Sequence, residues 1–410
     1  MTKRGLHWAW VILAVCFVDL FVNYSIRLGF GVLLTEMIRA FDINRTQGGA
    51  ILNFYLAAYL CVTPFTGNLT DRMGPRRVIA LFSIILGTGT LLLGTADSFW
   101  MACLFFAVAG IGASGIWVPV LTAVQRWFAA RKRGMAVGIL SAGYGLGFAV
   151  MGLVFPVLVS AFSWRFCWYL LGAMTLIMVL VNGVLLRSSP REMGLSPWGE
   201  DGDAPAEQES KRPTEKGQFR QVFRTAQFWI VGSSYMLAAC ALYIITTFLV
   251  DYAHGELGLS FEEASFLATI HGVSQIAGVL TLPMFSDRIG RRRTLMITSV
   301  LVAASIAGIV LSGKDKWGLY ASVALLGLAY GPTWPMYGAC AGDYFRKEVI
   351  GTVIGGWTPL YGLGCISAHL IGGRIKDLTQ SFQWAFLVAI VLALTAGWVI
   401  GRLKERAGSH

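Results

Sequence analysis

Twelve long apolar runs limit what this chain can fold into. A helix needs about 20 apolar residues to cross the hydrocarbon core of a bilayer, and each run is near or above that length. The runs are too long for strands and lack the two-residue alternation of membrane barrels. They cover residues 8–35, 47–69, 77–96, 99–127, 134–162, 164–186, 227–252, 261–285, 293–313, 317–344, 349–373 and 381–402. The pattern predicts an all-α membrane protein with twelve transmembrane helices.

Composition supports a lipid environment. Hydrophobic residues make up 56% of the chain and charged residues only 13%, whereas soluble domains carry about 25% charged residues. The net charge of +11 could indicate nucleic acid, but Lys and Arg fall in short clusters between the runs, as they do in cytoplasmic loops. We therefore expect the lipid bilayer as a partner, no nucleic acid, and a monomer.

The distribution of Lys and Arg predicts the orientation in the membrane. With the N-terminus placed in the cytoplasm, the cytoplasmic segments hold 25 Lys and Arg residues and the external loops hold seven, while Arg27 lies within a span. Cytoplasmic loops carry such an excess of positive charge. The sequence predicts a multi-pass protein of the plasma (inner) membrane with cytoplasmic N- and C-termini.

One long polar segment divides the twelve runs into six and six. It is rich in Pro, Gly and Glu, a composition typical of a flexible linker. The predicted organisation is an N-terminal six-helix half over residues 1–187, a cytoplasmic linker over 188–225, and a C-terminal six-helix half over 226–410.

The two halves are related in sequence. FTGNLTDRMGPRRV at 65–78 corresponds to PMFSDRIGRRRT at 283–294. The matched pairs are Asp71 with Asp287, Gly74 with Gly290 and, further along, Trp117 with Trp334. Shared packing glycines alone would be weak support, but Asp, Trp and loop position agree together. Repeats of the same topology predict two pseudo-symmetric halves, as in secondary transporters.

The repeated loop resembles a known motif. GNLTDRMGPRR at 67–77 is similar to the loop between spans two and three of the major facilitator superfamily, and its second copy begins with Pro283. The resemblance implies rocker-switch alternating access, with gating residues Gly67, Asp71, Arg72, Gly74 and Arg76 in one copy and Asp287, Arg288 and Gly290 in the other. Its aspartates either pair with basic residues across the halves or only fix the topology.

A second resemblance concerns the kind of cargo. WFAARKRGMAVGILSAGYGLG at 127–147 resembles the span-five signature of monocarboxylate transporters and of their bacterial oxalate:formate antiporter-like branch. PREMGLSPWGE at 190–200 is similar to the stretch after span six in bacterial members. That family typically carries an Asp and an Arg in span eight, where this chain has Gln275 and Val279. The resemblance implies transport of a small organic anion, a mono- or dicarboxylate, with its positive charge placed elsewhere.

The first run supplies that charge. Asp19, Asn23 and Arg27 follow one another at four-residue spacing, which places them in a drifting stripe along one helix face. By the resemblance, the first span lines the transport cavity. Arg27 is the predicted anion ligand, because a guanidinium matches a carboxylate with two parallel hydrogen bonds. The alternatives are an arginine reaching the interface or an internal pair with Asp19.

Two titratable side chains are candidates for proton coupling. Asp19 is the first, since loss of hydration favours the neutral form of a carboxylate. His271 in the eighth run is the second. For both, the alternative is a structural hydrogen-bonding role.

Aromatic and polar side chains of the cavity-lining runs complete the candidate site. The predicted substrate-binding set is Arg27, Asn23, Tyr24, Trp117, Tyr243, Gln275, Tyr330, Trp334 and Tyr337. For each of the aromatic members, packing against a neighbouring helix is the competing interpretation.

These observations favour a secondary active transporter working by proton-coupled symport or anion exchange. The alternative is a proton-coupled exporter of a neutral or cationic small molecule, with Asp19 as the cation ligand. An enzyme is not expected, because the five histidines and seven cysteines show no metal-ligand or catalytic spacing and the chain has no phosphate-binding loop. The pattern calls for no cofactor and no metal.

Overall fold

The computed structural model describes residues 7–200, 222–346 and 349–403. Their architecture is a bundle of α-helices. The helices are α1 Trp8–Phe41, α2 Arg45–Met73, α3 Pro75–Gly94, α4 Phe99–Ser114, α5 Trp117–Trp127, α6 Ala130–Ala161, α7 Trp164–Leu185, α8 Ala226–Gly255, α9 Phe261–Ile289, α10 Arg291–Ser312, α11 Lys316–Tyr330, α12 Thr333–Tyr344, α13 Ile350–Thr379 and α14 Phe382–Gly401.

Two of the predicted spans are broken in the middle. The fourth is divided into α4 and α5 at Gly115, and the tenth into α11 and α12 at Gly331 and Pro332. A proline removes a backbone donor and clashes with the preceding turn. The two glycines stand 216 positions apart, so the breaks are part of the internal repeat.

Ten helical segments of the described chain are long and apolar enough to cross a membrane, with α4 and α5 counted as one. The two remaining predicted spans are the broken α11–α12 pair, whose parts are short, and α13, which is long but rich in glycine and polar residues. The prediction of an all-α membrane fold is confirmed.

Glycines bring the two halves into close contact. Across the interface of α6 and α9, a Cβ added at Gly272 would lie 2.4 Å from the carbonyl oxygen of Gly145. Across the interface of α2 and α13, a Cβ at Gly373 would lie 2.7 Å from the backbone of Thr46. Small residues allow such close approach of membrane helices. The halves therefore meet backbone to backbone along these two helix pairs.

The repeated loops make equivalent tight turns. Gly74 has φ +80° and Gly290 has φ +91°, a region that side chains with a Cβ rarely adopt. Their amides donate to the carbonyl oxygens of Thr70 and Ser286 at 2.9 and 3.0 Å. The two copies of the loop motif therefore share the same turn geometry. We call the side of the molecule that carries these turns the motif end and the opposite side the far end.

The far end is closed by polar contacts between the halves. Asp251 of α8 is buried and accepts from Thr35 at 3.2 Å and from Arg45 at 3.1 Å. Asp377 of α13 accepts from the backbone and the hydroxyl of Thr46 at 2.9 and 2.5 Å. These bonds join the far ends of α1 and α2 to those of α8 and α13.

Toward the motif end, four glycines of α6 and α13 have no packing partner at the position that a side chain would occupy. A Cβ added at any of them would meet nothing within 4 Å: Gly134, Gly138, Gly351 and Gly355. They occupy the first turns of α6 and α13, the same helices whose far portions are tightly packed. The halves are therefore joined at the far end and spread apart at the motif end.

The start of the linker is docked on the N-terminal half. Residues 188–200 contain a 3₁₀ turn, and Trp198 donates from its amide to the carbonyl of Trp127 at 2.9 Å. Its ring lies 5.1 Å from that of Trp10. The prediction of a flexible linker is wrong for this part, because one large apolar ring gives a polar segment enough buried surface to hold it. Residues 201–221 lie outside the described residues.

Candidate substrate cavity

A cavity of about 410 Å³ lies between the two halves, within the range of small-molecule sites. It extends from Arg27 toward the motif end, where Leu121 and Ile354 line it. Its lining combines one charged residue with aromatic, aliphatic and hydroxyl side chains. These include Tyr24, Arg27, Tyr59, Thr63, Trp117, Ser141, Tyr144, Tyr243, Gln275, Tyr330, Trp334, Thr358 and Tyr361.

Arg27 is the central polar group of this cavity. Its side chain is only 8% exposed, and Nη2 donates to the hydroxyl of Tyr243 at 2.7 Å. The guanidinium carbon lies 5.7 Å from the ring centre of Tyr59 and 5.5 Å from that of Tyr243. Tyr361 donates to the same Tyr243 hydroxyl at 3.1 Å. Aromatic rings thus hold the guanidinium in place, and Nε has no hydrogen-bond partner among the described residues.

The expected stripe of three polar residues on α1 separates in the structure. Tyr24 and Arg27 share the face that lines the cavity, whereas Asp19, eight residues before Arg27, is turned by about 80°. The Asp19 carboxylate accepts from the Asn182 amide of α7 at 2.9 Å, within the N-terminal half. Asn23 is also buried and does not line the cavity. The substrate contact predicted for Asn23 finds no support in this arrangement.

Tyrosine side chains from both halves form one wall of the cavity. The hydroxyls of Tyr144 on α6 and Tyr330 on α11 are 2.6 Å apart. The ring of Tyr24 lies 4.2 Å from that of Tyr144. The wall therefore joins α1, α6 and α11 across the interface between the halves.

The two repeat tryptophans meet. Trp117 and Trp334 lie edge to face with ring centres 5.5 Å apart, on the motif-end side of Arg27. Trp334 is 46% exposed, which fits a place at the cavity opening. Tyr337, one turn further along α12, faces away from the cavity: its hydroxyl lies 2.6 Å from that of Ser234. Three residues of helix turn Tyr337 by about 60° from Trp334, and its ring stacks on that of Tyr235 at 4.5 Å inside the C-terminal half.

Gln275 and His271 on α9 have different surroundings although they are one turn apart. Gln275 lines the cavity, and its side-chain oxygen has no hydrogen-bond partner among the described residues. His271 is buried between the rings of Phe148 and Tyr330, at 5.4 and 5.1 Å between centres. Neither of its nitrogens is hydrogen-bonded within the described chain. Its proton-coupling role stays a prediction.

The motif side chains lie apart from the cavity. Asp287 pairs with Arg291 at 2.5 Å, and Arg291 also contacts Asp343 at 3.3 Å, all within the C-terminal half. Asp71, its neighbour Arg72 and the equivalent Arg288 are exposed. Arg76 donates to the carbonyl of Gly183, and a Cβ added at Gly67 would meet nothing within 4 Å. The ion pair of Asp287 is therefore formed within one half rather than across the two.

The candidate site predicted from the sequence does not include a polar layer that lies between the cavity and the far end. His369 of α13 contacts Asn53 of α2 and Thr247 of α8 through its two ring nitrogens. The signal for it was present in the repeat: Tyr243, Thr247 and Asp251 follow at four-residue spacing on α8 and face α1. Because α1 and α8 are the first helices of the two halves, the repeat matches these three positions with Arg27, Gly31 and Thr35.

Comparison with known proteins identifies the class of protein that this fold and cavity define. The sequence model of the Major Facilitator Superfamily matches residues 13–255 and 231–409, which together span nearly the whole chain. The chain belongs to the Major Facilitator Superfamily and is a membrane transporter.

Curated relatives transport small organic anions. The chain is 23% identical to the probable sulfoacetate transporter SauU of Cupriavidus necator, covering 94% of this chain and 92% of the relative. It is 23% identical to the 4-hydroxybenzoate transporter PcaK of Acinetobacter baylyi, covering 96% and 91%. It is 24% identical to monocarboxylate transporter 4 of Gallus gallus, covering 96% and 82%. The resemblance to monocarboxylate transporters is confirmed.

Solved structures share the fold. A bacterial homologue of the lysosomal transporter Spinster, in an inward-facing and unoccupied conformation, matches with a TM-score of 0.75 and 17% identity, covering 98% of this chain and 97% of the other. A mutant of the nucleoside transporter NupG matches with a TM-score of 0.77 and 14% identity, covering 95% and 98%.

Proposed function

We propose that this protein is a secondary transporter of small organic monocarboxylates, with Arg27 as the residue that binds the carboxylate. The observation that carries the proposal is the isolation of Arg27: among the described residues that line the cavity, it is the one with a charged side chain. A buried charge without a partner is costly, and an anionic substrate would supply the missing partner.

The remaining lining narrows the substrate class. Aromatic and aliphatic side chains provide most of the surface, with hydroxyls from a few Tyr, Thr and Ser residues. A dicarboxylate would bring a second charge for which the described lining offers no cation. A sugar acid would bring many hydroxyl groups that need polar partners. One carboxylate on an apolar or aromatic body fits best, and the 4-hydroxybenzoate and monocarboxylate relatives are consistent with this class.

The same lining argues against the exporter of cations. That alternative requires an acidic ligand, and Asp19 lies behind α1 with its carboxylate bonded to Asn182. Only a large movement of α1 against α7 would bring it into the cavity.

The orientation in the membrane follows from the distribution of Lys and Arg, and the transport mechanism follows from which end of the cavity is open. Lys and Arg are concentrated in the loops of the motif end, which we assign to the cytoplasm of the plasma (inner) membrane together with both termini. The cavity then opens inward in this structure, and the far-end bonds of Asp251 and Asp377 close the outer side. Alternating access would exchange these contacts for contacts at the motif end.

Reconstituted uptake tests the role of Arg27. Proteoliposomes of the wild type would be offered labelled lactate, benzoate, 4-hydroxybenzoate, sulfoacetate and cis,cis-muconate, first in exchange mode and then under a pH gradient. We expect uptake of a monocarboxylate, at least 100-fold reduced in Arg27→Gln and partly retained in Arg27→Lys. Arg39→Gln is the matched control, because Arg39 is an exposed arginine on the same helix.

The outcomes separate the alternatives. Monocarboxylate uptake that persists in Arg27→Gln would remove Arg27 from the binding site. Transport of a cationic dye, lost in Asp19→Asn, would favour the exporter. Uptake by Asp19→Asn under a pH gradient, compared with its exchange activity, is a separate test of the proton-carrier role predicted for Asp19.

A further inference from the structure

The polar layer between the cavity and the far end, formed by Asn53, Thr247 and His369, has the geometry of a site that can take up and release a proton. His369 is fully buried. Its Nδ1 lies 2.6 Å from Asn53 Oδ1, and its Nε2 lies 3.0 Å from Thr247 Oγ1. Asn53 belongs to the N-terminal half, whereas His369 and Thr247 belong to the C-terminal half. The imidazole therefore bridges the two moving parts with one nitrogen on each side.

The hydrogen-bond network assigns the tautomer of His369. The Asn53 amide nitrogen donates to the carbonyl oxygen of Ile366 at 3.1 Å, so the Asn53 side-chain oxygen faces the ring and must accept a hydrogen bond from it. Nδ1 then carries the hydrogen, and Nε2 accepts from the Thr247 hydroxyl. If Nε2 gains a proton, that hydroxyl only needs to rotate to accept it. The same heavy-atom arrangement serves the neutral and the charged imidazole.

Arg27 connects this layer to the substrate. The Tyr243 hydroxyl accepts from Arg27 at 2.7 Å, and the Tyr243 ring centre lies 5.8 Å from that of His369. A positive charge on His369 is repelled by the guanidinium when the cavity holds no anion. A carboxylate bound to Arg27 cancels that repulsion. Anion binding and protonation of His369 therefore favour each other.

Other ionisable groups surround the layer and have to be counted. They are Arg27 from α1, Tyr55 and Arg45 from α2, Tyr243 and Asp251 from α8, and Tyr361 and Cys365 from α13. Asp251 is the acid among them, and it is held by Arg45 at the far end. Among these side-chain types, imidazole is the one whose unperturbed titration falls between pH 5 and 8.

The interface position gives His369 access to each side in turn. When the far ends separate, Asn53 moves away with the N-terminal half, and water from that side reaches the imidazole. In the present arrangement the far-end bonds of Asp251 and Asp377 shut that route, and the imidazole contacts Tyr243, which lines the cavity. We propose that His369 is the proton-coupling residue, which takes up one proton together with the anion and releases it when the anion leaves Arg27.

This inference rests on the proposed anion transport, and its test separates the two. The probe is the anion of the panel above that the wild type exchanges fastest. We expect His369→Gln, which keeps hydrogen-bonding atoms for Asn53 and Thr247, to exchange that anion within about twofold of the wild type. Uptake driven by a pH gradient should fall at least tenfold, and the proton taken up on anion binding, followed with a pH dye, should disappear.

His254→Gln is the matched control and should keep both activities, because this histidine lies at the far end of α8 and contacts Leu259 and Arg39. Gradient-driven uptake that persists in His369→Gln, including the case in which His271→Gln or Asp19→Asn loses it instead, would overturn the proposal. So would loss of exchange together with gradient-driven uptake, which would make His369 a binding residue, and so would a wild type that exchanges the anion without responding to a pH gradient. If the wild type exchanges none of the anions, the proposed transport function fails first.

Discussion

Arg27 donates a hydrogen bond to Tyr243, and the two residues are 216 positions apart, the spacing of the internal repeat. Thr35 and Asp251 form a second hydrogen bond at the same spacing. Equivalent positions of the two halves thus meet on the pseudo-symmetry axis between α1 and α8. Because one half supplies arginine where the other supplies tyrosine, the symmetric frame holds a single positive charge that faces the cavity.

The Tyr243 hydroxyl should position the guanidinium. Tyr243→Phe removes the acceptor at 2.7 Å, and hydrogen bonds to charged groups contribute about 1.5–3 kcal/mol. We expect the anion concentration for half-maximal exchange to rise roughly tenfold or more. The matched control is Tyr252→Phe on the same helix, because the buried Tyr252 hydroxyl has no partner in the described chain. Equal effects of the two variants would contradict the positioning role.

Close glycine packing between α6 and α9 should hold the halves together. A Cβ at Gly272 would lie 2.4 Å from the Gly145 oxygen, and overpacking typically costs about 1–3 kcal/mol. Gly272→Ala should lower the melting temperature of the purified protein measured by fluorescence. Gly138→Ala meets nothing within 4 Å and should leave it unchanged or raised, since alanine favours helix over glycine by about 1 kcal/mol. A stable Gly272→Ala would show that this interface is loose.

Asp251 should decide which end is open. Its carboxylate is buried and accepts hydrogen bonds from Thr35 and Arg45, and hydrogen bonds to charged groups contribute about 1.5–3 kcal/mol. Asp251→Asn should therefore shift the population toward a state open at the far end. Distances between spin labels on the far ends of α1 and α8 would increase.

Glu36→Gln is the control for that experiment. Glu36 pairs with the exposed Arg39 on the surface of the same helix, and such pairs contribute about 0–1 kcal/mol. The distribution of spin-label distances in Glu36→Gln should match that of the wild type. An unchanged distribution in Asp251→Asn would show that other contacts close the far end.

Trp198 should hold the start of the linker on the N-terminal half. Its ring contacts Trp10 and Phe128, so Trp198→Ala should release residues 188–200 and make Arg191 a cleavage site for trypsin. Trp198→Phe keeps an aromatic ring and should remain largely protected. Rapid cleavage of the wild type at Arg191 would contradict the docked arrangement.

Much of this molecule could be predicted from local pattern. The apolar runs gave the helices, because a segment in lipid has to satisfy its own backbone hydrogen bonds. The repeat predicted two related halves in which Trp117 and Trp334 occupy matched positions, and their rings meet in the structure. The φ values of Gly74 and Gly290 show equivalent turns at the two copies of the loop motif. Seven of the nine predicted substrate-binding residues line the cavity, and Asn23 and Tyr337 are the two that do not.

The features of the site that the sequence did not predict have a common physical cause. Helical spacing shows which residues share a face, but it does not show which neighbouring helix that face meets. Asp19 and Arg27 lie on one stripe in the sequence and still contact different helices, α7 and α8. The layer around His369 was not predicted as a unit, because the partners of the imidazole are 316 and 122 positions away in the chain.

The sequence by itself determined the membrane setting, the helices, the two related halves and the presence of one arginine in the first span. These follow from hydropathy and periodicity, which are properties of short segments. Only the tertiary structure decided that Arg27 faces tyrosines rather than Asp19, that the far end is closed by Asp251, and that His369 bridges the halves. Such relationships depend on how separate helices pack, because side chains distant in sequence come within hydrogen-bond reach only when the halves are assembled.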